Sequence, residues 1–197
     1  MKNDETSAIC NELVNSFMLT VLEYDIIIAV VIAIYLYVIA SLLWPWLTGS
    51  GFSPTSRRKA KIVLEMANVG PKDVFYDLGC GTGQVMAEAR KKTKHVVGVE
   101  IEPLRWLICK LSVWGVKVIL GDMYKVPIKD ATVIFIFQCP WVNVKLREKF
   151  EKELRPGTRI VCNSWKIEGW EPVKTVENLY LYIVGDSFSG KRGKKSY

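Results

Sequence analysis

Nineteen consecutive residues, Ile26 to Trp44, carry no charge, proline or glycine, a run that water-soluble folds seldom accommodate. At 1.5 Å per residue it makes a helix of roughly 28 Å, against a bilayer hydrocarbon core of about 30 Å. A buried soluble helix is the bland alternative, but such a helix is rarely apolar on every face for this length. Trp44 and Trp46 suit an interfacial end, and no basic n-region or close small-x-small site marks a cleaved leader. The run is read as one transmembrane helix over residues 26–47. Only Lys2 is basic before it, whereas Arg57, Arg58, Lys59 and Lys61 follow, which predicts a cytoplasmic or matrix-like interior for the C-terminal part. Residues 1–25 carry an apolar stripe through Ile9, Leu13, Phe17 and Val21, an amphipathic helix or a frayed tail.

Beyond the span, 26 bases face 15 acids, so the remaining domain is basic and favours an anionic neighbour such as lipid headgroups, nucleic acid or an acidic protein. The five cysteines include no Cys-x-x-Cys pair, which suggests neither a zinc site nor a disulfide framework. Thr48–Gly51 reads as a hinge, and Ser56 offers N-cap chemistry for a helix to about Asn68. Apolar β-rich runs then alternate with helix-like stretches near Gln84–Lys92, Pro103–Trp114 and Asn143–Leu154. The runs lie near Val74–Leu78, Val96–Val99, Val116–Leu120, Thr132–Phe137 and Arg159–Cys162. Val173–Val176 and Leu179–Val184 read as a closing antiparallel hairpin. The expected fold is α/β: a Rossmann-like sheet of about seven strands, mostly parallel, over residues 48–186, with a basic tail over 187–197.

The chemistry concentrates in Asp77-Leu78-Gly79-Cys80-Gly81-Thr82-Gly83, which follows the first strand and opens a helix. A dinucleotide fingerprint needs glycine at Gln84, so G-x-G-x-x-G is not met. The acid followed by Gly79, Gly81 and Gly83 resembles class I methyltransferases, which use S-adenosylmethionine. Glu100 ends the second strand and can accept hydrogen bonds from ribose hydroxyls, while Asp122 and Met123 follow the third. In that family's plan Asp77 helps hold the cofactor's ammonium, Asp122 approaches the adenine amino group, and Met123 packs on the base. Each acid alone also reads as a solvated strand end; three in order at one sheet edge favour a site. After the fourth strand, Gln138 and Trp141 are candidate catalytic residues. An amide oxygen accepts amine protons and an indole walls a channel or makes a cation–π contact, although a turn capped by Pro140 explains the same residues. His95, the single histidine, opens a strand away from that edge and reads as structural.

The chain from Phe52 to Ile183 resembles a seven-strand protein-lysine methyltransferase family with archaeal members and mitochondrial members that carry a hydrophobic segment before the catalytic domain. The residues that carry the likeness are Phe52-Ser53-Pro54-Thr55, the Asp77–Gly83 loop, Pro140 with Asn143 and Leu146, the stretch Leu154 to Arg159, and Gly169-Trp170-Glu171-Pro172 before Leu179-Tyr180-Leu181-Tyr182. Family members usually read Gly-Ser-Gly-Asp-Gly-Arg in the loop, where Cys80, Thr82 and Gln84 stand here. The resemblance implies lysine Nε methylation of a protein, membrane proteins among the candidates, with Thr55 at the cofactor and Phe52, Asn163, Trp165 and Trp170 at the lid and acceptor channel. A lipid, quinone or other small-molecule methyltransferase and a non-catalytic scaffold are the rival readings; no nucleic-acid partner is expected, for want of an RNA-binding motif.

Overall fold

The computed structural model describes residues 2–48 and 53–187, in two compact units divided between Trp46 and Leu47. The first is one helix, α1 (Lys2–Thr48), which runs through residues 25 and 26 without a break. Within it Asn15–Ser41 is long and apolar enough to cross a membrane, with mean hydropathy 2.3. Its large side chains, among them Phe17, Ile27, Val31 and Leu36, are exposed, so nothing in this unit buries them. Phe52 and the tail from residue 188 lie outside the described residues.

The second unit is a seven-stranded sheet. Helix α2 (Arg57–Met66) starts where the Ser56 hydroxyl accepts the Lys59 N–H, and ends before Asn68, which takes a left-handed φ of 48°. Strand β1 (Val74–Leu78), helix α3 (Gln84–Ala89), strand β2 (His95–Glu100), helix α4 (Pro103–Ser112) and strand β3 (Lys117–Leu120) follow. Strand β4 (Val133–Ile136), helix α5 (Pro140–Glu153), strand β5 (Arg159–Asn163) and the hairpin β6 (Lys174–Val176) and β7 (Leu179–Ile183) complete it. The sheet order is β3-β2-β1-β4-β5-β7-β6; β1 to β5 are parallel, and β7 runs antiparallel to both β5 and β6. This is the Rossmann-like fold that the alternating pattern predicts.

Side chains alternate between two cores, as period-two strands require. Phe75, Val133, Phe135 and Val161 pack on one face with Ala60 and Val63 of α2 and Met86 of α3. Leu78, Ile134, Ile136 and Ile160 pack on the other with Val142, Leu146 and Phe150 of α5. Trp170 belongs to this second core, set against Phe150 and Tyr182, with its indole N–H donating to Glu151. From β1 the chain winds through β2 to β3, then crosses back to β4 and winds the other way. That reversal opens a crevice at the C-terminal ends of β1 and β4, where open α/β sheets bind ligands.

Candidate cofactor and acceptor site

The crevice is built by the loop after β1. Its N–H groups at Gly79 and Cys80 both donate to the Val99 carbonyl of β2, at 2.8 and 3.0 Å, which fastens the turn to the neighbouring strand. Gly79 is required twice over. Its φ is 88°, and a Cβ there would lie 2.2 Å from Nε2 of Gln138. Gly83, with φ 87°, leads into α3, and a Cβ there would meet Sγ of Cys109 at 2.7 Å. The loop therefore closes down on α4 below and on Gln138, two residues past β4, above.

A cleft open to solvent is lined by Thr55, Asp77, Gly79, Gly81, Glu100, Asp122, Met123 and Gln138, eight residues singled out from sequence. Asp77 is 3% exposed, and no described residue donates a hydrogen bond to its carboxylate. Burial, reinforced by the nearby Cys109 and Glu100, pushes its pKa well above the ordinary carboxylate value. Glu100 is also buried, but its oxygens accept the N–H groups of Gly81 (2.8 Å), Ile101 (3.1 Å) and Glu102 (3.0 Å). A carboxylate has about four acceptor sites, so Glu100 retains capacity for a further donor. Asp122 caps its own turn by accepting the Tyr124 N–H at 2.9 Å and keeps its side chain partly exposed.

Gln138 extends back over the glycine loop, donating from Nε2 to the Leu78 carbonyl at 3.0 Å, while its buried Oε1 has no hydrogen-bond partner among the described residues. The cleft thus presents an unpaired carboxylate, a second carboxylate with spare capacity and an orphaned amide oxygen. An ammonium group, a ribose diol and an amine match these three in turn, and so the chain's own residues fit S-adenosylmethionine and an amine acceptor.

The remaining sequence candidates lie elsewhere. Gly83 shapes the turn without lining the cleft. Trp141, in the first turn of α5, and Trp165, after β5, are exposed and line no part of it. Asn143 on α5 donates to the carbonyls of Trp165 (3.2 Å) and Lys166 (3.4 Å), which fastens the segment bearing Trp165 to the helix bearing Trp141. Asn163 is buried at the end of β5, where its Oδ1 accepts from Ser164 (3.2 Å) and lies 3.5 Å from the Lys59 ammonium. His95 opens β2 outside the cleft. Arg105 was not singled out from sequence: it lines the cleft, with Nε 3.5 Å from Glu100 and 3.7 Å from Glu102. Glu102-Pro103-Leu104-Arg105 was its available signal, an N-cap acid before an N1 proline with a base three residues on.

The profile of the ANTKMT methyltransferase domain family matches residues 77–174. A protein-lysine N-methyltransferase of Saccharolobus islandicus is 36% identical, the match covering 68% of this chain and 94% of that protein. The chain belongs to this methyltransferase family. It is an S-adenosylmethionine-dependent enzyme. The crystal structure of an RNA methyltransferase from Salinibacter ruber in complex with S-adenosyl-L-homocysteine is 30% identical with a TM-score of 0.66, covering 68% of this chain and 95% of that one. An adenine nucleotide translocase lysine N-methyltransferase of Mus musculus is 28% identical across 61% of this chain; the match spans 56% of that relative's length. Beneath the loop glycines a buried cysteine, Cys80, lies 4.0 Å from Cys109.

Proposed function

We propose that the chain methylates lysine Nε of a protein at a membrane, held there by α1 with the catalytic domain on the cytoplasmic or matrix-like side. The observation that carries the lysine reading is the Saccharolobus relative, a protein-lysine N-methyltransferase aligned over 94% of its length. Bound S-adenosylmethionine supplies an electrophilic methyl group on a sulfonium. The chain's residues do the rest by positioning. Asp77 holds the cofactor's ammonium, Glu100 accepts from the ribose, Asp122 and Met123 address the adenine, and Thr55 closes the near wall. A lysine amine must reach the site neutral, its ammonium proton lost to solvent, and Oε1 of Gln138 accepts a hydrogen bond from one of its N–H groups, which turns the lone pair toward the methyl group. Trp141, Trp165, Phe52 and Asn163 belong, in this reading, to the acceptor approach. The likeness to an RNA methyltransferase and the excess of bases favour RNA as the second reading.

Native membranes incubated with the enzyme and methyl-labelled S-adenosylmethionine provide the test. Label recovered as Nε-methyl-lysine in protein is the expected result, and Gln138→Ala lowers turnover with little change in cofactor affinity. Label in the organic phase or in RNA overturns the lysine assignment.

A further inference from the structure

Helix α4 carries its apolar stripe on the wrong side for a core. Leu104, Leu107, Ile108 and Leu111 recur at the i, i+3, i+4, i+7 spacing that ordinarily marks a buried face. Here they are 40–66% exposed, and the one fully buried side chain of the helix is Cys109. Ile101 before the helix and Trp114 after it continue the stripe, 45% and 79% exposed. Contiguous apolar surface of this kind marks an interaction site.

The surroundings specify the partner. From Pro103 to Leu120 there is no acidic residue. Lys110 lies over the Trp106 ring at 4.8 Å, and Lys117 is exposed on the edge strand β3. Arg90 and Lys94 share a shallow basic cleft with Gly115, where a Cβ would come within 2.6 Å of the Arg90 guanidinium. Of the nearby acids, Glu88 pairs with Lys91 at 2.7 Å, and buried Glu102 caps α4. An apolar stripe rimmed by unopposed bases fits an anionic bilayer interface, where the stripe enters the acyl boundary and the bases meet phosphates. A second copy of the chain would oppose two basic rims, which charge repulsion disfavours.

We infer that the face formed by α4 and Trp114 docks the catalytic domain onto an anionic membrane surface. This rests on the membrane-proximal reading above and deepens it. Four residues, 49–52, join α1 to the first described residue of the domain in the sequence. Ile101 belongs both to the stripe and to the cofactor cleft, so docking sets the cleft's rim at the interface.

The test uses residues 53–197, because a chain of about this length is a whole protein in the Saccharolobus relative. The domain sediments with vesicles of phosphatidylglycerol and phosphatidylcholine and at least tenfold less with phosphatidylcholine alone. Leu111→Ser with Trp114→Ser lowers the anionic partition at least tenfold while S-adenosylmethionine affinity, the control for folding, stays unchanged. Brominated lipid quenches the wild-type fluorescence more than that of Trp114→Phe. Absence of vesicle binding, equal binding by the double variant, or a dimer that the double variant dissolves overturns the inference. Alkaline extraction of the full chain from membranes tests α1 separately: release there ends the anchor reading and leaves the vesicle result to judge the α4 face.

Discussion

Two aspartates four residues apart, at opposite ends of β1, live in opposite electrostatic worlds. Asp73, just before the strand, accepts the Gly70 N–H at 2.8 Å and the Thr132 hydroxyl at 2.7 Å and pairs with Arg159. Arg159 also donates to the carbonyls of Ala67 and Asn68, so one cluster joins β1, β4, β5 and the end of α2. Burial pushes the Asp73 carboxyl up, but these donors outweigh it and hold its pKa below the ordinary value. Asp77, at the other end, is more deeply buried, receives no donor from the described residues, and is pushed well up by burial. The N-terminal edge of the sheet pairs its carboxylate, whereas the C-terminal edge buries one that, in the function proposed above, is kept for a cationic ligand.

Asp73→Ala breaks the comparison most forcefully. Truncating one partner of a buried ion pair typically costs about 3–5 kcal/mol, and with Asp73 and Arg159 partly accessible about 2–3 kcal/mol is expected. Thermal unfolding of the domain should read that loss as a drop of roughly 5–10 °C in Tm, with S-adenosylmethionine affinity near wild type. Collapse of binding at full occupancy of the folded state would place Asp73 in the functional edge after all. Asp77→Asn should do the reverse. Losing the charge-assisted bond to the ammonium costs about 1.5–3 kcal/mol, one to two decades in Kd by calorimetry, while the unliganded domain melts at the same temperature or higher. A fall in Tm matching that of the Asp73 variant would make Asp77 a structural residue.

Strand positions were legible because the parallel strands are short runs rich in apolar and β-branched residues set between helix-like stretches: β1 spans Val74–Leu78 as read, and Glu100 ends β2. The glycine loop and its three acids were legible because their chemistry lies in local spacing. What sequence did not disclose depends on distance or on an outward face. Arg159 reaches Asp73 across 86 positions, a pairing that no local pattern marks. The unpaired Oε1 of Gln138 depends on how β4 meets the β1 loop. α5 begins at Pro140 instead of near Asn143, since proline fits the first helical position and Cys139 takes the extended N-cap conformation. The stripe of α4 matches a core-facing pattern, and only the exposure of Leu107 and Leu111 shows that it faces away.

The smallest effect separates the two aspartates by pH. A lowered pKa, as at Asp73, gives stability that is present above the unfolded value near 3.8 and is lost as pH falls below it. A raised pKa, as at Asp77, has the opposite sign: the folded state binds the proton more tightly, so stability declines as pH rises from about 3.8 through the raised value. The slope from a single group cannot exceed about 1.4 kcal/mol per pH unit. Asp77→Asn should therefore flatten the decline above pH 4 in the unliganded domain, and Asp73→Asn should leave that decline in place while removing the acid-side loss. Binding an ammonium requires the ionised Asp77 carboxylate, so cofactor binding at mildly acidic pH should release a fraction of a proton. Calorimetry in two buffers of different ionisation enthalpy reads this directly. Release that persists in Asp77→Asn would assign the proton to another group and end the contrast between the two edges.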